Sequence, residues 1–316
     1  MKFSFFNLFA PQKETLPSAD AAFVFSPHYN LSLGAHVFPA HKFSYLHDML
    51  QLDETLGKVR FYEPEACSPD QLALVHTPKY LADFLECRNS ERTRFSELPL
   101  NPSIVNSFLH AVGGTIEATL LSKEYRYIFN LGGGFHHSFA DHAEGFCYVN
   151  DVAIASKVYL EKNPGKRVLV IDLDLHQGNG TAAIFQNNAN VFTFSMHQEN
   201  LYPKKEISDL DIPLQDRCSD AEYLELLQKS LERIEKNFQP DIIFYLAGAD
   251  PYKEDTLGNL QLTMEGLIQR DSLTKQFADR LDCPIIIVTA GGYAKKFQDT
   301  VTIHYNTAKV FASQSV

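Results

Sequence analysis

The sequence contains few cysteines, and no two of them form a C-x-x-C pair. The five cysteines lie far apart along the chain, at positions 67, 87, 147, 218 and 283. An odd number of scattered cysteines is not a disulfide framework and offers no thiolate cluster for a structural zinc site. The sequence therefore predicts unpaired thiols in a reducing compartment, and it leaves any metal to oxygen and nitrogen ligands.

Basic blocks and long apolar runs are also missing. The 316 residues include 28 Lys+Arg and 39 Asp+Glu, a formal net charge of −11. This acidic excess argues against direct nucleic-acid binding and is compatible with cationic partners such as lysine-rich chains or amines. The longest apolar runs, such as Ile242–Ala247, are too short to span a bilayer. The N-terminus lacks the apolar core and cleavage site of a signal peptide, so we expect a cytoplasmic protein, or a nuclear one if the source is eukaryotic, and not a secreted one.

The second half of the chain alternates between short apolar runs and amphipathic stretches. The runs predict buried strands, and the stretches, with apolar residues every three or four positions, predict helices. This alternation is typical of a parallel sheet covered by helices on both faces. We expect an N-terminal arm over residues 1–20 and a single α/β domain with a central, mostly parallel sheet over residues 21–316. The predicted strands are 22–25, 127–131, 167–171, 191–195, 241–246 and 284–289, and the predicted helices are 40–52, 78–87, 102–122, 151–160, 221–238, 264–281 and 297–312.

Four of these strands are followed by residues that can do chemistry. GGGFHH, ending in His136 and His137, follows the strand at 127–131, and DLDLHQGNG begins at Asp172. AGAD and AGGY follow two further strands and end at Asp250 and Tyr293. In open parallel sheets, ligands and catalytic groups lie at the carboxyl ends of the strands. We therefore expect these four segments to meet at one edge of the sheet.

The D-x-H pattern of Asp174 and His176 predicts a metal site. Side chains two residues apart on an extended segment point the same way, and Asp250 would add a third ligand from another strand end. Two carboxylates and one imidazole leave open positions for water and substrate, as a catalytic zinc ion requires. An isolated D-x-H pattern is more often a helix cap beside a buried histidine. The matching Asp250, the histidine pair and Tyr293 favour the metal.

The histidine pair and the tyrosine supply the other groups that hydrolysis of an amide or ester needs. A histidine near the metal can take a proton from water and later protonate a leaving amine. A tyrosine hydroxyl can donate to a carbonyl oxygen as that oxygen gains negative charge. The three glycines before the pair let the backbone approach a ligand closely.

Together, GGGFHH, GFCYVND (145–151), IDLDLHQGNG, AGAD and AGGY resemble the zinc-dependent histone deacetylase family, which has the arginase–deacetylase fold. The likeness runs from FSPHYN at residue 25 to the final helix. QGNG at 177–180, and GGY in place of a longer glycine run, are most like class IV, the histone deacetylase 11-like branch. The resemblance implies an enzyme that removes acetyl or long-chain fatty-acyl groups from lysine side chains of proteins or peptides. The likeness to class IV favours the long chains.

The resemblance also implies roles for individual residues. The implied ligands of one catalytic Zn²⁺ are Asp174, His176 and Asp250, and the implied catalytic residues are His136, His137, Tyr293, Asp172 and Asn179. The implied substrate-channel residues are Gly145, Phe146, Tyr202 and Leu257. A structural K⁺ would be held by Asp172, Ser195 and backbone carbonyls of Asp174, His176 and Met196. In these roles His136, oriented by Asp172, acts electrostatically. His137 is the general base and acid, and Tyr293 polarises the carbonyl.

Two positions depart from the pattern of most classes. Asn179 stands where most have an aspartate beside the second histidine, although class IV shares the asparagine. An amide orients the ring without supplying charge, so we expect a lower pKa for His137. The rim aspartate that grips the substrate backbone has no clear counterpart, although Glu97 lies in the right region. His142, between the histidine pair and Gly145, is a further candidate for the channel mouth.

Several alternatives stay open on the sequence alone. Residues 178–183 fit the dinucleotide-binding pattern G-x-G-x-x-A, follow a strand and open a predicted helix, with Glu199 about twenty residues on, but a charged segment separates the strand from these glycines. A two-metal, arginase-like site would need a carboxylate where Tyr252 stands. A non-catalytic module that binds acyl-lysine is a third alternative, and acetylated polyamines or other small amides are alternative substrates. The oligomeric state is not predicted.

Overall fold

Eight strands form one sheet at the centre of the molecule. The computed structural model describes residues 21–34, 36–56 and 60–312, so the arm expected at residues 1–20 lies outside the described residues. The strands are β1 (Ala21–Val24), β2 (Arg60–Tyr62), β3 (Tyr127–Asn130), β4 (Val168–Asp172), β5 (Val191–Gln198), β6 (Leu210–Leu214), β7 (Ile242–Leu246) and β8 (Ile285–Val288). They lie in the order β2-β1-β3-β8-β7-β4-β5-β6, and every neighbouring pair is parallel.

Helices cover both faces of this sheet. They are α1 (Lys42–Leu52), α2 (Pro69–Ala73), α3 (Pro78–Leu85), α4 (Pro102–Leu121), α5 (Asp151–Lys162), α6 (Asn179–Phe185), α7 (Asp220–Asn237), α8 (Met264–Arg280) and α9 (Phe297–Ala312). The predicted α/β fold is confirmed, and the sheet is wholly rather than mostly parallel. The sequence does not predict β2, β6 or α2. Strand β2 has only three residues and helix α2 only five. The edge strand β6 contains Pro213, which a central strand would not tolerate.

Alternate residues of the central strands enter two separate cores. Ile242, Phe244 and Leu246 of β7 pack with residues of α4 and α5, whereas Ile243 and Tyr245 pack with residues of α1, α7, α8 and α9 on the other face. Because successive side chains of a strand point to opposite faces, a run of apolar residues fits a strand that is buried on both sides. The five residues of β7 are all buried.

The long helix α4 belongs to the first core. Among the described residues it is the one helix long and apolar enough to cross a membrane, and 72% of that apolar window is buried inside the fold. Its glycine pair is explained by close packing, since a Cβ on Gly113 would lie 1.9 Å from the Glu65 carbonyl oxygen and one on Gly114 would lie 1.9 Å from the Tyr29 hydroxyl. The pair therefore does not interrupt the helix. It lets α4 approach its neighbours.

Candidate active site and metal centre

The four segments predicted to carry chemistry follow four strands that are consecutive in the sheet. The strands β3, β8, β7 and β4 lie side by side and run in one direction, so their carboxyl ends form one edge. The segment after β3 contains the histidine pair, the segment after β4 contains Asp174 and His176, and Asp250 and Tyr293 follow β7 and β8. The four segments therefore meet at one edge of the sheet, as expected.

Asp174, His176 and Asp250 lie together and are buried. One ligand atom from each side chain lies within 4.8 Å of the others. His176 Nδ1 lies 3.2 Å from Asp174 Oδ1 and 3.3 Å from Asp250 Oδ2. The structure thus brings the three predicted ligands to one point at the ends of β4 and β7.

This donor set fits a divalent metal ion. Burial, followed by the negative charge of Asp174, raises the pKa of Asp250 to about 7, because two buried carboxylates repel each other. Asp250 Oδ2 is buried, and its 3.3 Å contact with His176 Nδ1 does not have hydrogen-bond geometry. The other oxygen of each carboxylate accepts a hydrogen bond from the backbone. The Leu175 N–H donates to Asp250 Oδ1 at 3.0 Å, and the Gly291 N–H donates to Asp174 Oδ2 at 2.8 Å. A divalent cation would neutralise both carboxylates and bind Asp250 Oδ2.

His136 is paired directly with a carboxylate. Its Nδ1 lies 2.7 Å from Asp172 Oδ2, and both side chains are buried. Burial lowers the pKa of His136, but the charges of Asp172 and Asp174 outweigh burial and raise that pKa to about 9. Asp172 therefore orients the ring and favours its protonated form, as the electrostatic role implied for His136 would need.

His137 is paired with an amide instead. Its Nδ1 lies 2.8 Å from Oδ1 of Asn179, the first residue of α6. Burial lowers the pKa of His137 well below its usual 6.5, the charges of His136 and His176 lower it further, and the hydrogen bond with Asn179 opposes them only in part. The pKa of His137 is lowered, as expected, but the causes are burial and the two neighbouring histidines, and the Asn179 hydrogen bond acts in the opposite direction. A neutral ring is the form that accepts a proton.

Tyr293 follows β8 in a loop that approaches the predicted metal ligands closely. Its backbone N–H donates to Asp255 Oδ2 at 2.7 Å. A Cβ on Gly291 would lie 2.2 Å from Asp250 Oδ2, and Gly292 has a φ of +148°, so both glycines before the tyrosine are required. Burial, followed by the charge of Asp250, raises the pKa of Tyr293 well above 10. The hydroxyl stays protonated and available as a donor.

One pocket of about 230 Å³ with mainly apolar walls is lined by five of these side chains: His136, His137, Asp174, His176 and Tyr293. All four predicted channel residues belong to it. The ring centroid of Phe146 lies 5.9 Å from that of Tyr293, so an aromatic wall faces the proposed oxyanion donor. The predicted wall residues are Gly145, Phe146, Tyr202 and Leu257, and the walls also include Phe38, Phe135, Cys147 and Leu201.

The two residues expected near the channel mouth take different positions. Glu97 is exposed, lines the pocket and has a left-handed backbone with φ +61°. His142 is not part of the pocket wall, because its ring stacks on Phe139 with centroids 4.4 Å apart. Its Nε2 lies 3.8 Å from Glu144 Oε2. The structure therefore brings Glu97, but not His142, to the pocket.

The residues predicted to hold K⁺ lie on β4, on β5 and in the loop after β4. Asp172 and Ser195 are register partners in the sheet. Ser195 Oγ is hydrogen-bonded to His197 Nδ1 at 2.9 Å, and burial lowers the pKa of His197 to about 3. No sequence motif marks this buried histidine. The K⁺ site, with Met196 and the backbone carbonyls implied for it, stays a prediction.

Two other buried charges that sequence reasoning did not assign hold the loops of the site. Asp151 accepts hydrogen bonds from the backbone N–H groups of Gly134 at 3.0 Å and Phe135 at 2.8 Å. Lys42 Nζ donates to the Ala290 carbonyl oxygen at 2.5 Å, and burial lowers the pKa of Lys42 to about 8. Asp151 ends the GFCYVND motif and could have been singled out. Lys42 carries no such signal.

The glycines of the G-x-G-x-x-A pattern are explained by packing. A Cβ on Gly178 would lie 2.2 Å from Asp172 Oδ2, and one on Gly180 would lie 2.3 Å from the Ser138 carbonyl oxygen. Helix α6 therefore begins in direct contact with the segment that carries the histidine pair. This close approach places Asn179 against His137 and accounts for the glycines without a dinucleotide.

The fold and the site define a class: an α/β protein with a buried Asp–His–Asp group, two histidines and a tyrosine at one pocket. The chain belongs to the histone deacetylase family, since the family model described as "Histone deacetylase domain" matches residues 36–308. An uncharacterised protein of Picosynechococcus is 39% identical over 85% of this chain and 90% of its own length. Histone deacetylase 2 of Arabidopsis thaliana is 29% identical over 89% of this chain and 76% of its own length. The acetoin utilization protein AcuC of Bacillus subtilis is 30% identical over 78% of this chain and 70% of its own length.

A solved structure shares the fold. The crystal structure of an HDAC homologue complexed with SAHA matches with a TM-score of 0.80 at 24% identity, covering 94% of this chain and 85% of that chain. The arginase–deacetylase fold is thereby confirmed, and the family model confirms the predicted family. The family relationship makes the chain a deacetylase hydrolase. The family is zinc-dependent, and the Asp–His–Asp group fits a metal site.

Proposed function

We propose that this chain hydrolyses the amide bond between an acyl group and the side-chain nitrogen of lysine in proteins or peptides. The observation that carries the proposal is the lining of the pocket. A cavity of about 230 Å³ with mainly apolar walls is lined by Asp174 and His176 of the Asp–His–Asp group and by His137 and Tyr293. An apolar channel accommodates a lysine stem, and the polar groups at its base can act on the amide.

The proposed mechanism divides the work among these side chains. A zinc ion on Asp174, His176 and Asp250 would supply a Lewis acid for the acyl carbonyl and lower the pKa of a water molecule. His137, neutral because its pKa is lowered, accepts the proton of the attacking water through Nε2 and then protonates the leaving lysine nitrogen. The Tyr293 hydroxyl donates a hydrogen bond to the carbonyl oxygen as negative charge develops there.

Pocket size supports a short acyl group. A volume of about 230 Å³ is below the ~300–1,000 Å³ of pockets that hold drug-sized ligands, so a lysine stem with an acetyl group fits better than one with a long chain. Asn179, QGNG and GGY are the observations that favour the class IV assignment and, with it, long-chain fatty-acyl groups. Long-chain removal is therefore the second candidate.

Acetylated polyamines are a third candidate substrate for the same chemistry. The exposed carboxylate of Glu97 lies at the pocket, where it would attract a second amine of the substrate. The net charge of −11 acts in the same direction, although it also attracts basic proteins. The cytoplasmic location, the boundaries of the N-terminal arm and the domain, and the structural K⁺ belong to the proposal as well.

A substrate panel tests these choices. Acetyl-, octanoyl- and myristoyl-lysine peptides and acetylated polyamines would be compared by kcat/KM, each with and without a chelator. We expect the acetyl-lysine peptide to be preferred and every activity to be lost with the chelator and restored by Zn²⁺. A preference for myristoyl-lysine would support the second candidate, and a preference for polyamines the third. Activity that resists chelation would refute the metal mechanism.

A further inference from the structure

Glu144 begins a tight turn beside the histidine pair. The Cys147 N–H donates to the Glu144 carbonyl oxygen at 2.9 Å, and the Glu144 N–H donates to the Cys147 carbonyl oxygen at 3.1 Å. The central residues Gly145 and Phe146 have φ values of +50° and +63°, as in a type I′ turn. Their N–H groups donate to the carbonyl oxygens of residues 95 and 96. The turn is held on both sides and gives Glu144 a fixed backbone.

The Glu144 side chain points at the partner of His137. Its Oε1 accepts a hydrogen bond from Asn179 Nδ2 at 2.8 Å and another from the Tyr202 hydroxyl at 3.1 Å. The side chain is only 22% exposed. Burial raises the pKa of Glu144, but the nearby His142 ring and the hydrogen bonds from Asn179 and Tyr202 outweigh burial and lower that pKa below its ordinary value. The carboxylate is therefore ionised at neutral pH and can only accept hydrogen bonds.

We propose that Glu144 is a positioning residue for His137: its carboxylate fixes the orientation of the Asn179 amide and, through that amide, the tautomer of His137. This role rests on the proposed function of His137 as the general base. It goes beyond that function because no family motif assigns a task to Glu144.

The proposal follows from the donors and acceptors along this chain of hydrogen bonds. An amide side chain has a donor end and an acceptor end, and nothing intrinsic decides which one faces His137. Because the Glu144 carboxylate accepts only, the Asn179 NH₂ faces Glu144, and Asn179 Oδ1 faces His137 Nδ1 at 2.8 Å. An oxygen acceptor requires a proton on Nδ1. The lone pair of His137 is therefore on Nε2, the nitrogen that must accept the proton of water.

Removing the carboxylate would free the amide to turn. Asn179 could then present its NH₂ to His137 Nδ1, which would stabilise the tautomer protonated on Nε2. That tautomer cannot act as a base at the substrate. The loss would appear mainly in kcat, because the predicted metal ligands are not altered. Any rise in KM should be smaller, since it would come only from the hydrogen bond that the wall residue Tyr202 loses.

The experiment compares Glu144→Ala, Asn179→Asp and the double variant Asn179→Asp/Glu144→Gln in the zinc-loaded protein. We expect Glu144→Ala to lower kcat about 10- to 100-fold, part of the ~10²–10⁴-fold that a general base contributes. Asn179→Asp places two carboxylates in contact and should also lose activity. The double variant exchanges the carboxylate and the amide between positions 144 and 179 and should recover most of the activity. The new carboxylate at position 179 then accepts hydrogen bonds both from His137 and from the new amide at position 144. Asp141→Asn, which removes an exposed charge from the same segment, is the matched control and should keep kcat.

A second readout is independent of activity. In ¹⁵N-histidine spectra of the zinc-loaded protein, His137 should carry its proton on Nδ1, and Glu144→Ala should add the tautomer protonated on Nε2. Thermal unfolding and zinc content would establish that each variant is folded and loaded. The proposal is overturned by an unchanged His137 tautomer in Glu144→Ala, by a double variant no better than Asn179→Asp, or by an equal loss in Asp141→Asn. If the tautomer changes but no acyl-lysine is hydrolysed, the positioning role stands and the proposed function fails.

Discussion

Replacing Tyr293 with phenylalanine removes one hydroxyl and keeps the packing around it. The ring centroid lies 5.9 Å from that of Phe146 and 6.3 Å from that of Phe38, and these contacts do not involve the oxygen. The backbone N–H of residue 293 would still donate to Asp255. Phenylalanine should therefore take the place of tyrosine without a change in the loop, and the metal ligands should be unaffected.

The size of the effect follows from the environment of the hydroxyl. Tyr293 is partly buried, and burial, followed by the charge of Asp250, keeps the hydroxyl protonated, so it would donate to the carbonyl oxygen at a site with little water. Removing one such donor to a developing oxyanion costs about 10²–10³ in kcat, or ~2.7–4 kcal/mol. We expect a loss in that range with a KM within about twofold, because a donor used mainly in the transition state contributes little to substrate binding.

The assay is deacetylation of an acetyl-lysine peptide by Tyr293→Phe, with zinc content measured on the same sample. Tyr45→Phe is the matched control, since Tyr45 is exposed and outside the pocket. The control should match the wild type. If Tyr293→Phe retains full kcat with zinc bound, the assignment of the oxyanion donor is wrong. If it loses zinc, the hydroxyl has a structural task at the metal ligands instead.

Two further predictions concern stability and the shape of the site. Burial lowers the pKa of His76 to about 4, and its Nε2 accepts a hydrogen bond from the Asn150 N–H at 3.1 Å, so the folded state binds fewer protons than the unfolded state between pH 6.5 and 4. The free energy of unfolding should fall as the pH falls through this range, by up to about 1.4 kcal/mol per pH unit from this residue. When that free energy is measured by urea unfolding at several pH values, its slope against pH should be shallower for His76→Gln than for the wild type. Equal slopes against pH would contradict this. In Gly145→Ala, the new Cβ would lie 2.6 Å from His137 Cδ2 at a φ of +50°, so we expect a loss of about 1–3 kcal/mol in stability together with lower kcat. An unchanged melting temperature and kcat would show that the turn can move aside.

The site motifs could be predicted because they follow apolar strands directly. Ile242–Leu246 is a buried run, and the AGAD segment that ends it leads to Asp250 at the carboxyl edge. The general rule for parallel sheets then supplies the convergence without any knowledge of strand order. The order itself, with β3, β8, β7 and β4 adjacent, depends on packing between segments far apart in sequence. No periodicity encodes it.

Supporting residues were missed for the same reason. Lys42 and its partner Ala290 are 248 positions apart, and Glu144 and Asn179 are 35 apart, so neither pair forms a local pattern. Asp255 is one more charged residue in an acidic loop until the structure shows its carboxylate at the Tyr293 N–H. Such residues act on backbone groups and amides, and their value depends on three-dimensional placement. Sequence motifs therefore identify the side chains that bind a metal or a proton more readily than the side chains that hold those groups in place.

The two neighbouring histidines show why that support matters. His136 faces the Asp172 carboxylate directly and has a raised pKa, whereas His137 faces the Asn179 amide and has a lowered one. When their environments shift the pKa values of two titratable groups in opposite directions, one group is protonated and can act as an acid at the same pH at which the other is neutral and can act as a base. A metal cation nearby would lower both pKa values, and only His136 has a carboxylate in contact to oppose it. A carboxylate lies one group further away from His137, on Glu144, where it can orient that ring through Asn179 without protonating it.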